Sequence, residues 1–201
     1  MKSVLLSIKP KYCELIAGGI KTIEVRKTKP KLDTSFKCYI YETKTKDFYS
    51  TLHKKIIGKV IGEFICSKIT EFESEFWDDE TYERIQTIIK DCERYFESGE
   101  YEYETVATNE DEKYKENWLC KQSCVPWEEM RKYVGTGIKE FYGWHISNLK
   151  IYDTPKELSG FRQCHKCEHY FYCKAGEYSC DGVYRLTRPP QSWCYVEEVM
   201  E

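Results

Sequence analysis

The sequence predicts an α+β fold, mainly β, in which a small barrel with flanking helices carries a helical insertion. Three observations predict it. Short segments that alternate apolar and polar residues occur at both ends of the 201-residue chain, the pattern of half-buried strands. One segment, KIIGKVIGEFICSKI, is apolar on both faces. Val60, Gly62, Phe64 and Cys66 fall on one side and Ile61 and Ile65 on the other, which points to a strand covered twice, as in a closed barrel. Between the two ends lies an acidic stretch with helical spacing.

Taken in order, SVLLSIKP reads as a first strand ended by proline, and KYCELIAGG as a short helix with a glycine cap. KTIEVRK alternates Ile23 and Val25 with Glu24 and Arg26 and reads as a strand; FKCYIYET and KIIGKVIGEFICSKI are two more. In DDETYERIQTIIKDCERYF, apolar residues from Tyr82 to Phe96 recur at helical spacing, behind an acidic start that suits a helix N-terminus. Residues 97–116 read as a loop. VPWEEMRKYVG reads as a second helix, with Pro126 in its first turn and Gly135 near its end. Strands resume in WHISNLKIYD, TPKELSGF is a turn or short helix, and SWCYVEEV is the last strand. The expected organisation is a barrel of residues 1–70 and 136–201 interrupted by an acidic helical insertion at 71–135.

Composition narrows the function classes. Hydrophobic residues make up 41% of the chain and aromatics 15%, values of a globular protein. No run of eighteen apolar residues occurs, so no membrane-spanning segment is expected. MKSVLLSIKP lacks the apolar length and cleavage site of a signal peptide, so a cytoplasmic location is expected. The net charge of −3 conceals an asymmetry. Residues 1–70 hold fifteen Lys/Arg against six Asp/Glu, and residues 71–120 hold five against seventeen. A basic block beside an acidic one suggests a surface for a polyanion on one part only, or two ordinary solvated faces.

Eleven cysteines in a chain expected to stay reduced direct attention to metal. In 164-CHKCEHYFYCKAGEYSC-180, Cys164 and Cys167 form a C-x2-C pair that grips one ion from a tight turn, and Cys173 and Cys180 complete four thiolates. Structural zinc suits that set, with an iron–sulfur cluster as the alternative. Cys120 and Cys124 form a C-x3-C pair within reach of the same site if the insertion folds back. Cys13, Cys38, Cys66 and Cys92 are isolated in apolar patterns and read as small buried hydrophobes.

The second constellation is GGIKTIEVRK. Gly18 and Gly19 permit a left-handed turn, and alternation then puts Thr22, Glu24 and Arg26 on one side of a strand, with Lys21 at the turn. Lysine, carboxylate and guanidinium converging there suit a phosphate, a base edge or acid–base chemistry; a surface salt-bridge lattice is the plain alternative. Lys27, Lys29 and Lys31 follow as a basic rim. Trp144, Trp193 and several tyrosines suit either base stacking or the core.

The run SIKPKYCELIAGGIKTIEVRK resembles the opening of ASCH domains, PUA-like small β-barrels whose signature G-x-K-x-x-E-x-R is matched by Gly19, Lys21, Glu24 and Arg26. GKVIGEF and the ending YGWHISNLKIYDTPKELSGF…RPPQSWCYVEE resemble the version common in phages and Firmicute-type bacteria. The resemblance implies a barrel with a cleft that binds RNA or a modified nucleoside. Lys21, Thr22, Glu24 and Arg26 would line it, with Ser7, Lys9, Gly19 and Ser192 beside them. It also implies an enzyme alternative, hydrolysis of N4-acetylcytidine or of RNA, with Lys21, Glu24 and Arg26 as catalytic groups. That motif has threonine two residues before the arginine, where this chain has Glu24; Thr22 is one pleat away. A zinc-braced adaptor that docks a protein partner on the acidic insertion is the third reading.

Overall fold

The computed structural model describes residues 3–44, 58–76, 84–89, 102–108, 118–164 and 183–198. It is mainly β with a few helices. Among the described residues ten strands run in chain order: β1 Ser3–Ile8, β2 Ile23–Arg26, β3 Phe36–Glu42, β4 Val60–Phe76, β5 Arg84–Ile89, β6 Glu102–Thr108, β7 Gly137–Lys156, β8 Phe161–Cys164, β9 Val183–Arg185 and β10 Trp193–Glu198. Three helices accompany them among the same residues, α1 Pro10–Ala17, α2 Trp118–Ser123 and α3 Trp127–Val134, with a 3-10 turn at Leu158–Gly160. The chain divides into two compact units. The first takes Met1–Ala17, Phe36–Ile65 and Asn148–Glu201; the second takes Gly18–Ser35 and Cys66–Ser147. The long strands β4 and β7 each contribute a part to both.

In the first unit the strand order is β7–β4–β3–β1–β10–β8–β9. β1 pairs parallel with β3, Val4 opposite Cys38 and Leu6 opposite Ile40, and antiparallel with β10. One face of this sheet carries Leu5, Tyr39, Tyr41, Cys194 and Val196, packed with Leu158, Phe161 and Leu186. Tyr39 meets Phe161 edge to face at 4.8 Å. The other face buries Val4, Leu6, Ile8, Cys38 and Ile40, together with Cys13 and Ile16 of α1. Proline opens α1, where its missing N–H costs nothing.

Two-sided burial therefore comes from layers stacked on an open sheet. Among the described residues the strand path has free ends, so the expected closed barrel is corrected to an open sheet. Apolar residues on both faces of a strand report only that both faces are covered.

In the second unit β2 pairs antiparallel with β7, and β4 continues into a meander with β5 and β6. The stretch expected as a helix around residues 79–96 contains β5, whose Ser74–Ile85 and Phe72–Thr87 pairings to β4 are those of a strand. The run IQTII (Ile85–Ile89) is rich in β-branched residues, and a short apolar run fits either period until a partner strand decides it. The stretch expected as a loop contains β6. Among the described residues of the expected insertion the helices are α2 and α3. α3 matches expectation: Pro126 precedes it, Glu128 and Glu129 occupy its first turn, Arg131 and Lys132 its last, and Gly135 caps it. It buries Trp127, Met130 and Val134. Phe72 stacks on Phe141 at 5.1 Å, and Phe76 meets Trp127 at 5.5 Å. Trp144, Cys13, Cys38 and Cys66 are core residues; Cys92 lies outside the described residues.

Gly62 shows how tightly β4 and β7 approach in the first unit. A Cβ there would sit 2.5 Å from the Lys150 carbonyl oxygen, which belongs to backbone and cannot step aside. Gly62→Ala is therefore expected to lower stability by about 1–3 kcal/mol in denaturant unfolding. Gly160→Ala, which meets nothing within 4 Å, serves as the control. Equal midpoints for the two variants would contradict this packing.

Candidate functional site

After Gly19, whose φ of +70° favours glycine, the chain enters β2 through Lys21 and Thr22. Thr22 is tied on both sides, its N–H donating to the Gln122 carbonyl at 2.8 Å and its carbonyl accepting from Ile146 N–H at 2.9 Å. These bonds seat the start of β2 between the end of α2 and β7. Glu24 then lies opposite Trp144 and Arg26 opposite Tyr142. Alternation puts Glu24 and Arg26 on one side, as expected; Thr22 is exposed.

Lys21 is only 2% exposed, Glu24 7% and Arg26 6%. The Lys21 ammonium donates to the Ile23 carbonyl at 2.8 Å and the Ser123 carbonyl at 2.5 Å, and contacts Glu24 Oε2 at 3.2 Å. Glu24 Oε1 takes Arg26 Nη2 at 2.9 Å. Each carboxylate oxygen thus meets one cation. Burying ions costs several kcal/mol each unless partners replace water, and here all three ammonium hydrogens have an acceptor. Surface ion pairs would not behave this way, so the salt-bridge-lattice alternative is overturned for this cluster by its burial. An amine held so has no lone pair to offer; attack through Lys21 would require losing a proton and two main-chain bonds.

Tyr133, on the last turn of α3, borders the same cluster. Its phenol takes a hydrogen bond from the Lys27 backbone N–H, and the Lys27 ammonium lies 5.3 Å from its ring centre. Burial pushes the phenol's pKa up, Arg26 opposes and Glu24 reinforces the shift. Lys29 lies 5.4 Å from the Tyr142 ring and pairs with Glu71. Nearby, the Thr70 hydroxyl and His145 Nε2 hydrogen-bond at 2.8 Å. Burial, with the Lys68 charge, holds His145 below its ordinary value and so neutral near pH 7. Burial pushes the Cys66 thiol up to about 12, leaving it inert.

The remaining expected residues fall elsewhere. Ser7 and Ser192 are joined in the first unit, the Ser7 N–H donating to the Ser192 carbonyl at 3.0 Å and the Ser7 hydroxyl to the Pro190 carbonyl at 2.6 Å. Lys9 is exposed. Cys164 ends β8; Cys167, Cys173 and Cys180 lie outside the described residues. Cys120 is buried, and Cys124 turns its Sγ to the Lys121 carbonyl at 3.5 Å. No group of three potential metal ligands occurs among the described residues. Sequence reasoning missed Ser123 and Tyr133. The first contributes a carbonyl, which any residue has, and the second closes a contact more than a hundred positions from Glu24.

No protein-family model and no curated protein matches the chain. Three solved structures are similar. The ASCH protein from Zymomonas mobilis is 15% identical at a TM-score of 0.45, over 78% of this chain and 73% of that one. Two mutant forms of it are 16% identical, at TM-scores of 0.44 and 0.48. They cover 79% and 97% of this chain against 77% and 88% of theirs. At these values the similarity adds nothing to what strand pairing and side-chain geometry establish.

Glu24→Gln would leave two buried cations without their counter-ion. It is expected to cost about 3–5 kcal/mol, against at most about 1 kcal/mol for Glu71→Gln, whose partner Lys29 is 40% exposed at its side chain. Equal losses in chemical denaturation would show that the cluster is not electrostatically closed.

Proposed function

We propose that this chain is a nucleic-acid-binding protein that takes RNA or a modified nucleoside beside Lys21, Glu24 and Arg26. The observation that carries the reading is the convergence of these three charged groups in one buried cluster. Fixed charge of that kind suits a phosphate or the polar edge of a base. Lys27 and Lys29, each beside a tyrosine ring, add cations and stacking surfaces at the rim. Ser7, Lys9 and Ser192, the other expected ligand contacts, belong to the first unit. Binding is favoured over hydrolysis because the Lys21 ammonium is saturated by acceptors. Among the described residues no helix is long and apolar enough to cross a membrane.

We further propose that Cys164, Cys167, Cys173 and Cys180 hold a structural zinc. Four thiolates with a C-x2-C start are a donor set that zinc fills tetrahedrally, and a closed set leaves no position for substrate. Purified protein is expected to contain about one zinc per chain by elemental analysis, lost in Cys167→Ser. Stoichiometric iron would replace zinc with a cluster, and no metal would mean free thiols.

Binding of a fluorescent single-stranded RNA should weaken with salt, log affinity falling with a slope of about 0.7 per phosphate neutralised. Lys27→Ala should reduce the slope by about that amount, and Lys29→Ala by less, because Glu71 already pairs with Lys29. Affinity indifferent to salt, or no binding, would overturn the reading.

A further inference from the structure

The face of β2 and β7 opposite the charged cluster carries a second pair of reactive groups. Cross-strand partners share a face, so Glu24 lies with Trp144 on one side and Ile23 with His145 on the other. On the His145 side, the Thr70 hydroxyl of β4 lies 2.8 Å from His145 Nε2. That is the separation of a nucleophile from its base. Both residues are half-buried, so solvent reaches them.

The surroundings suit that role. Ile23, opposite His145, is 0% exposed, and so is Phe72, two residues on from Thr70 and hence on the same face of β4. They close over Gly143, where an added Cβ would lie 2.8 Å from the Phe72 ring and 3.0 Å from Ile23 Cγ2. An apolar floor disfavours a charged imidazole, and the Lys68 charge acts in the same direction, so one ring nitrogen stays bare. With the ring proton on Nδ1, the bare nitrogen is Nε2 and the Thr70 hydroxyl donates to it. Lys68 is exposed two residues before Thr70, a cation for negative charge that develops on a substrate. A neutral substrate that becomes an oxyanion fits these groups, and the filled floor leaves room for a short acyl chain only.

We propose that Thr70 and His145 form a nucleophile–base pair that hydrolyses carboxylic esters of short acyl groups. Nε2 takes the Thr70 proton as Oγ1 attacks the ester carbonyl carbon, whose π pair moves onto its oxygen. That pair returns and breaks the bond to the alkoxide, which leaves with the proton held on Nε2. Water then gives a proton to Nε2 and attacks the acyl-threonine; the carboxylic acid departs and Oγ1 recovers its proton. This activity stands apart from the nucleic-acid reading and uses none of its residues.

The test uses the full chain and p-nitrophenyl acetate. Nitrophenolate release gives the rate, and acid-quenched tryptic peptides locate the acetyl group. The peptide of residues 69–84 contains no lysine, cysteine or histidine, so an acetyl group there marks a hydroxyl, which fragmentation assigns. Wild type is expected to carry acetyl-Thr70 and to release more than one nitrophenolate per chain. His145→Gln should slow the labelling about a hundredfold, Thr70→Val should abolish it and Thr70→Ser should retain it. Labelling should also fall on acidification, starting below the ordinary histidine range, because only the neutral ring accepts a proton. Thermal unfolding checks that each variant is folded, and His145→Gln with Thr70→Ser decides the matter if Thr70→Val is not. Acetyl groups on other residues only, or Thr70 labelling unchanged in His145→Gln or on acidification, overturn the pair. Labelling without release beyond one per chain overturns the hydrolysis.

Discussion

An ammonium group buried to within 2% of full enclosure has to be surrounded by acceptors, and that requirement organises the second unit. Lys21 finds them in two main-chain carbonyls and one carboxylate. One carbonyl, of Ile23, belongs to the strand it precedes; the other, of Ser123, lies 102 residues away at the end of α2. The bond therefore does what hydrophobic contact alone would do loosely, since apolar packing is non-directional and a short hydrogen bond is not. It sets the position of the α2–α3 segment against β2, and Thr22 repeats the tie through its backbone. A four-residue strand has few bonds of its own, so β2 depends on these attachments at its entrance.

Glu24 is the second half of that constraint. Set between Lys21 and Arg26, it pairs with both where water scarcely reaches. The same arrangement disfavours chemistry at the lysine, whose nitrogen is already engaged by three acceptors.

Much of this was legible in the sequence and some was not, for physical reasons. Alternation in KTIEVRK placed Glu24 and Arg26 on one side of a strand, because strand geometry has a period of two and depends on nothing distant. The charged triplet was visible for the same reason. Its burial was not, since a lysine is normally exposed and only the Ser123 carbonyl makes this one tolerable. Tyr133 was hidden because it meets the site across the fold. The β5 segment was misread because Ile85, Ile88 and Ile89 satisfy helical spacing as well as strand propensity, and the choice was made by β4. Barrel closure was misread because two-sided burial on β3 and β4 has a second cause, layers of helix and turn stacked on an open sheet.

The division of charge along the chain also changes meaning in three dimensions. Residues 1–70 are strongly basic and residues 71–120 strongly acidic, which suggests two opposed surfaces. In the second unit the two blocks meet instead. Lys29 pairs with Glu71, and within the acidic stretch Arg84 pairs with Glu75 at 2.5 Å. The rim is thus less positive than a count of its lysines implies, and Lys27 lies against the Tyr133 ring. A weakly charged rim steers a polyanion less but discriminates more, because affinity then depends on groups whose geometry is fixed.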